Sequence, residues 1–142
     1  MQRVAHNTEK EPPAETCLII EDSDFDQQRM TRIIRKYQGK LRITAVPTLK
    51  AARKVLFEEH VVLILLDNNL PDGVGADFAV TLSRNAQYSD IPVIIVTDWP
   101  SPFMWEKAAS AGVQYVLNKA EFDARYVHAA LKASKQRKRR IG

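Results

Sequence analysis

Six consecutive apolar residues, Val61-Val62-Leu63-Ile64-Leu65-Leu66, run without interruption into the carboxylate of Asp67, and no other stretch limits the fold so tightly. A run of this length without period-2 alternation reads as a strand covered on both faces, as in parallel α/β sheets. Such sheets bind ligands at the carboxyl ends of their strands, which makes Asp67 a candidate reactive group. Leu70-Pro71-Asp72-Gly73 follows as a turn, with Pro71 fixing its own φ and Gly73 and Gly75 free to take positive φ. A strand-end Asp on its own more often starts a turn than carries chemistry, so the rest of the chain has to decide.

Taken in order, residues 1 to about 15 are polar, contain Pro12-Pro13 and lack periodicity, and read as a disordered lead-in. Thr16–Ile20 is a short apolar strand running into Glu21-Asp22. Ser23 or Asp24 then caps a helix whose apolar face holds Phe25, Met30, Ile33, Ile34 and Tyr37. Gly39 ends that helix, Leu41–Val46 is a second strand, and Thr48 caps a helix carrying Leu49, Ala52, Val55 and Leu56. After the Asp67 loop a helix is expected from about Ala76 to Ala86. Ile91–Val96 forms a fourth strand ending on Thr97, with Pro92 near its start, where a lost donor matters least. Ser101-Pro102 opens a helix that Gly112 terminates; Gln114–Leu117 is a fifth strand leading to Lys119; a last helix covers Glu121 to about Ser134. Alternating strands and helices imply right-handed crossovers and a doubly wound α/β sandwich with a five-stranded parallel sheet.

The 142 residues suit one domain, expected over residues 16–134. The net charge of +4 resides in the end of the chain, where Lys135, Arg137, Lys138, Arg139 and Arg140 cluster, and the remainder is near neutral. A like-charged run without interleaved aromatics is more often a solvated end than a nucleic-acid arm, so 135–142 reads as a basic tail and nucleic-acid binding is not expected. A single cysteine, Cys17, excludes an internal disulfide and sits in an apolar strand as core filler. Neither a secretory leader nor a membrane-length apolar run is present, and a cytoplasmic location is the expectation.

Four strands thus end on polar groups: Glu21 and Asp22, Asp67, Thr97, and Lys119. In a parallel sheet these share one edge. Each alone has a bland explanation as cap, turn or solvated charge; together they point to a site. Three carboxylates in one crevice repel one another unless a hard cation neutralises them, and Mg²⁺ takes a few oxygen ligands while keeping water. A carboxylate attacking phosphorus forms an acyl phosphate, and the equatorial oxygens of the transferring group need positive charge and donors, which Mg²⁺, Lys119 and Thr97 would supply.

The motifs IIEDS, LLDNNLPDGVG, IIVTD and YVLNKAEF resemble the receiver domain of two-component response regulators, over about residues 16–134. The resemblance implies a flavodoxin-like (βα)5 fold like that of the bacterial chemotaxis regulator. It implies Asp67 as phosphoacceptor and Asp22 as a Mg²⁺ ligand, with Glu21 acting through water and the Asn69 backbone carbonyl as a further ligand. Thr97 is then the phosphate-sensing hydroxyl and Lys119 the phosphate-binding cation. Departures from the pattern are Asp98 and Trp99 after Thr97, Ala120 after Lys119, and Val116 at the position of the usual rotating aromatic, with Tyr115 one place earlier.

A dehalogenase-type phosphatase, which also phosphorylates a strand-end Asp, needs an acid two residues on, where Asn69 stands here. No phosphate-cradling glycine motif of nucleotide-binding folds occurs. His6, His60 and His128 fall outside the motifs, so the phosphoryl group is expected from a histidine kinase, a histidine phosphotransferase or a small acyl phosphate. The length leaves no space for an output domain, and the expected function is that of a single-domain response regulator. It would signal by phosphorylation-dependent binding to a downstream protein or by phosphorelay, with no enzymatic activity beyond its own phosphorylation and dephosphorylation. The alternative is a receiver-like interaction module that does not turn over phosphate.

Overall fold

The computed structural model describes residues 13–37 and 40–141, and of 137–141 the backbone alone. The expected helix stop at Gly39 and residues 1–12 of the expected lead-in lie outside the described residues. Five strands, β1 (Glu15–Ile20), β2 (Arg42–Val46), β3 (His60–Leu66), β4 (Val93–Thr97) and β5 (Tyr115–Asn118), alternate with five helices. These are α1 (Asp24–Arg35), α2 (Leu49–Glu58), α3 (Gly75–Ser83), α4 (Pro102–Ser110) and α5 (Ala124–Ile141). The sheet is parallel throughout, in the order β2-β1-β3-β4-β5. Strand order therefore reverses between β1 and β3, and a crevice opens where their carboxyl ends diverge.

Strand alternation sorts the core into two layers. Leu18, Ile20, Ile64, Leu66 and Ile95 face α2, α3 and α4, where Ala52, Phe78, Ala79 and Met104 meet them. Cys17, Ile19, Leu63, Leu65, Ile94 and Val96 face α1 and α5, meeting Met30, Ile34, Phe122, Val127 and Ala130. The unbroken apolar run of β3 exists because each face has its own helical cover. At roughly 1.5–3 kcal/mol per large aliphatic side chain removed from water, this run is a principal source of stability. Burial also pushes the Cys17 thiol far above its ordinary range, in keeping with a filler role.

Local chemistry sets the boundaries. Ser23, Thr48 and Ser101 accept hydrogen bonds from Asp26, Ala51 and Met104 N–H groups and so cap α1, α2 and α4. Gly112, at φ 72°, closes α4 in a Schellman arrangement: its N–H bonds the Ala109 carbonyl and that of Val113 bonds Ala108. Several expectations need correction. Phe25 is 71% exposed, because it occupies the first turn of α1, ahead of the inward stripe of Met30 and Ile34. Gly73 and Gly75 do not use positive φ, which among described residues only Gly112 adopts. What they supply is space: a Cβ on Gly75 would lie 2.2 Å from the Asp67 carbonyl oxygen. Helix α5 starts later than expected, since Asn118 and Glu121 tie 118–121 into a turn: the Asn118 N–H donates to the Glu121 carboxylate and the Glu121 N–H to the Asn118 carbonyl. It also continues past Ser134 to Ile141, through a stretch without Gly or Pro. Among the described residues no helix is long and apolar enough to cross a membrane.

Candidate functional site

The carboxyl ends of β1, β3, β4 and β5 deliver Glu21, Asp67, Thr97 and Lys119 to one edge of the sheet. The Asp67 N–H donates to the Ile20 carbonyl at 3.0 Å, and the Lys119 N–H to the Thr97 carbonyl at 3.2 Å, so neighbouring strand ends are locked in register at the crevice. Asp67 is then held from the other side. The Gly75 N–H donates to the Asn68 carbonyl at 2.8 Å and the Ala76 N–H to the Asn68 side-chain oxygen at 2.9 Å, which caps α3 directly against the acid loop. A two-residue ladder, Asn69–Leu70 against Gly73–Val74, closes that loop. Asp72 anchors it to α2, each carboxylate oxygen accepting from a first-turn N–H, Leu49 at 2.9 Å and Lys50 at 3.0 Å. These hydrogen bonds hold the Asp72 carboxyl below the ordinary range of an aspartate.

Glu21, Asp22 and Asp67 place carboxylate oxygens within 4.8 Å of one another; Glu21 and Asp67 are buried and Asp22 is exposed at the mouth. Lys119 enters from β5. Its ammonium lies 2.9 Å from Glu21 Oε1, 2.7 Å from Asp26 Oδ2, 3.7 Å from Asp67 Oδ2 and 3.9 Å from Asp98 Oδ2. One cation faces four acids, and Asp22 adds a fifth to the crevice. Glu21 Oε1 is paired with Lys119 by charge without a well-aligned hydrogen bond, and with Thr97 Oγ1 it is one of two buried side-chain atoms lacking a hydrogen-bond partner among the described residues.

The electrostatics follow from burial and crowding. Desolvation pushes the Glu21 carboxyl up to about 7, against the pull of Lys119 and the Ser23 N–H, with the Asp67 charge adding to the rise. Asp67 is likewise raised, chiefly by desolvation, with Lys119 opposing. For Lys119, burial works to lower the pKa, but the hydrogen bond to Asp26 and the charges of Glu21 and Asp67 outweigh it and hold the ammonium well above its ordinary range. Five acids gathered around one ammonium, with Glu21 Oε1 lacking a hydrogen-bond donor, describe a site with more carboxylate than Lys119 alone can neutralise. An all-oxygen donor set of this kind fits a hard divalent cation.

The three acids, the lysine and the hydroxyl expected from sequence therefore share one edge of the sheet, with Asn69 exposed two residues beyond Asp67. Sequence reading missed Asp26, Arg29 and Asn68. Asp26 and Arg29 reach Lys119 from α1, the latter donating to its carbonyl at 2.6 Å. The three-residue spacing from Ser23 to Asp26 was the available signal. A groove of about 870 Å³ lies at the opposite edge of the sheet against Glu15, Tyr37, His60, Tyr88 and Pro92, and none of the site residues line it.

A parallel sheet of this order, with acids at its switch point and a lysine closing over them, defines a receiver domain of the two-component type. The chain belongs to the response regulator receiver domain family, whose model matches residues 17–132. Among curated relatives, the two-component response regulator ORR3 of Oryza sativa subsp. indica is 28% identical over 108 residues, covering 75% of this chain and 81% of its own. Among solved structures, a CheY-like receiver domain protein from Methanospirillum hungatei JF-1 superposes with a TM-score of 0.74 at 18% identity, over 91% of this chain and 99% of that one. The Mn²⁺-bound form of response regulator Rcp1 gives 0.63 at 20% identity, over 85% and 91%.

Proposed function

We propose that this receiver takes a phosphoryl group on Asp67 from a phosphohistidine of a kinase or phosphotransferase, with a divalent cation bound beside it. The observation that carries the reading is the convergence of Asp67 with Glu21, Asp22 and Lys119 within one crevice. Asp22 and Asp67 would hold Mg²⁺ directly, Glu21 would hold it through water, and the Asn69 carbonyl would complete the protein's share. When bound, the ion supplies positive charge to the three carboxylates and to the incoming phosphate. The Mn²⁺-bound form of Rcp1 supports a divalent ion in this fold.

In the transfer, an Asp67 carboxylate oxygen attacks phosphorus in line with the donor's imidazole nitrogen. The P–N bond breaks, its electron pair returns to the imidazole, and an acyl phosphate remains on Asp67. The Lys119 ammonium, 3.7 Å from Asp67 Oδ2, and the unpartnered Thr97 hydroxyl are the groups placed to meet the equatorial oxygens. The phosphorylated surface is then read by a downstream protein or drained by a phosphorelay, in the cytoplasm, where such donors work.

Incubating the protein with Mg²⁺ and acetyl phosphate should give a phosphate-sized mass increase that maps to Asp67. Asp67→Asn should abolish the adduct with the fold intact, and Asp22→Asn should weaken Mg²⁺ binding about tenfold or more by removing a charged ligand. An undiminished adduct in Asp67→Asn would move the acceptor elsewhere, and no adduct in the wild type would leave a receiver-shaped interaction module.

A further inference from the structure

We propose that Asp26 is a positioning residue that competes with the phosphoryl group on Asp67 for the Lys119 ammonium. This rests on the phosphoacceptor reading above and adds a control on it.

Asp26 is the third residue of α1, the position from which an acid usually turns back to the N–H of the capping residue. Here that N–H, on Ser23, donates instead to Glu21 Oε2 at 3.1 Å, while the Ser23 hydroxyl accepts from the Asp26 N–H at 3.2 Å. The cap is complete without the Asp26 carboxylate. It is free to reach across the crevice, where Lys119 Nζ donates to it at 2.7 Å, closer than to any other acid. Asp67 Oδ2, at 3.7 Å, is beyond hydrogen-bond reach of the same ammonium. One turn further along α1, Arg29 donates to the Lys119 carbonyl and pins the backbone. Only the side chain of Lys119 can therefore swing. Of its three donors, the one held by Asp26 must be released or shared before the ammonium can close fully on phosphate.

The consequence is a tax on phosphate binding set by a residue outside the acid cluster itself. Beryllofluoride, a phosphate mimic, is titrated at saturating Mg²⁺ and followed by ¹⁹F NMR. Asp26→Asn should tighten its binding about three- to tenfold, because a charge-assisted hydrogen bond that opposes closure is removed. Asp26→Glu keeps the charge and should bind as the wild type does. Asp98→Asn removes a charge 3.9 Å from the same ammonium without breaking a hydrogen bond and should have a smaller effect. Unchanged or weaker binding in Asp26→Asn overturns the proposal, as does equal tightening in all three variants, which would reduce the effect to bulk charge or loosened packing. Wild-type protein that binds no beryllofluoride, under conditions where it binds Mg²⁺, overturns the phosphoacceptor reading itself.

Discussion

Glu21 concentrates the conflict between burial and charge. It is 1% exposed, and its carboxyl is pushed up to about 7, first by desolvation and then by Asp67. In the unfolded chain the same group titrates near 4.5. Between those values the folded protein retains a proton the unfolded chain has lost, so stability falls as pH rises through that window. Without divalent ion, the melting temperature should decline from about pH 5 to pH 8, by a stability loss on the order of 1–3 kcal/mol. Mg²⁺ should recover most of the loss at pH 8 and little at pH 5, where it must displace protons. Glu21→Gln should flatten the metal-free profile; a profile unchanged by that substitution would assign the strain to another group. At this scale the sequence disclosed the residues whose position follows from strand ends: Glu21, Asp22, Asp67, Thr97 and Lys119. It concealed Asp26 and Arg29, because a charge in the first turns of a helix looks solvated until the neighbouring loop is seen to cross it.

Elements were legible in kind and order, since apolar runs, caps and Gly112 are local signals. Their ends were less so, because they depend on contacts between elements. Gly75 is an example: the turn-like sequence around it suggested freedom of φ, yet its role is to let α3 start against the Asp67 backbone. Gly75→Ala should destabilise by about 1–3 kcal/mol in urea unfolding and displace the acid loop, with neither expected if the loop can shift at no cost. The segment after β4 has its own logic. Tyr115 packs edge-on against Tyr126 in the layer of α1 and α5, leaving Val116 on the face toward α4, with no ring there to rotate. Trp99 is 82% exposed two residues beyond the buried Thr97, whereas Trp105 rides on α4, which Met104 and Ala108 anchor. If the Thr97 hydroxyl turns toward phosphate, the strain passes along the backbone to Trp99. Beryllofluoride should change the tryptophan fluorescence, the change should survive Trp105→Phe, and Trp99→Phe should remove it. Silence from both tryptophans with the mimic bound would rule out this route.

At the scale of the molecule, the site and the basic end of the chain belong to different parts of the structure. Chemistry gathers where β1 and β3 part, whereas α5 carries its basic residues away from the last core positions, Ala130, Leu131 and the buried Ser134. That the helix continues to Ile141 was hidden in the sequence, because a run of Lys and Arg reads as solvated whether or not its backbone is helical. Helix-forming residues without a breaker simply extend what the core has nucleated. Lys135 and Gln136 are exposed, and the core ends before them at Ser134, so deleting 135–142 should lower stability by less than about 1 kcal/mol and leave phosphorylation of Asp67 by acetyl phosphate unchanged. The rest of the chain is near neutral in sequence, so binding of this basic end to duplex DNA at 150 mM salt should remain weak and indifferent to sequence. Fluorescence anisotropy with a labelled duplex, run on the full chain and the deletion variant across a salt series, separates the cases. Tight binding with a steep salt slope that the deletion abolishes would make the end of α5 a nucleic-acid arm, and the receiver its regulator.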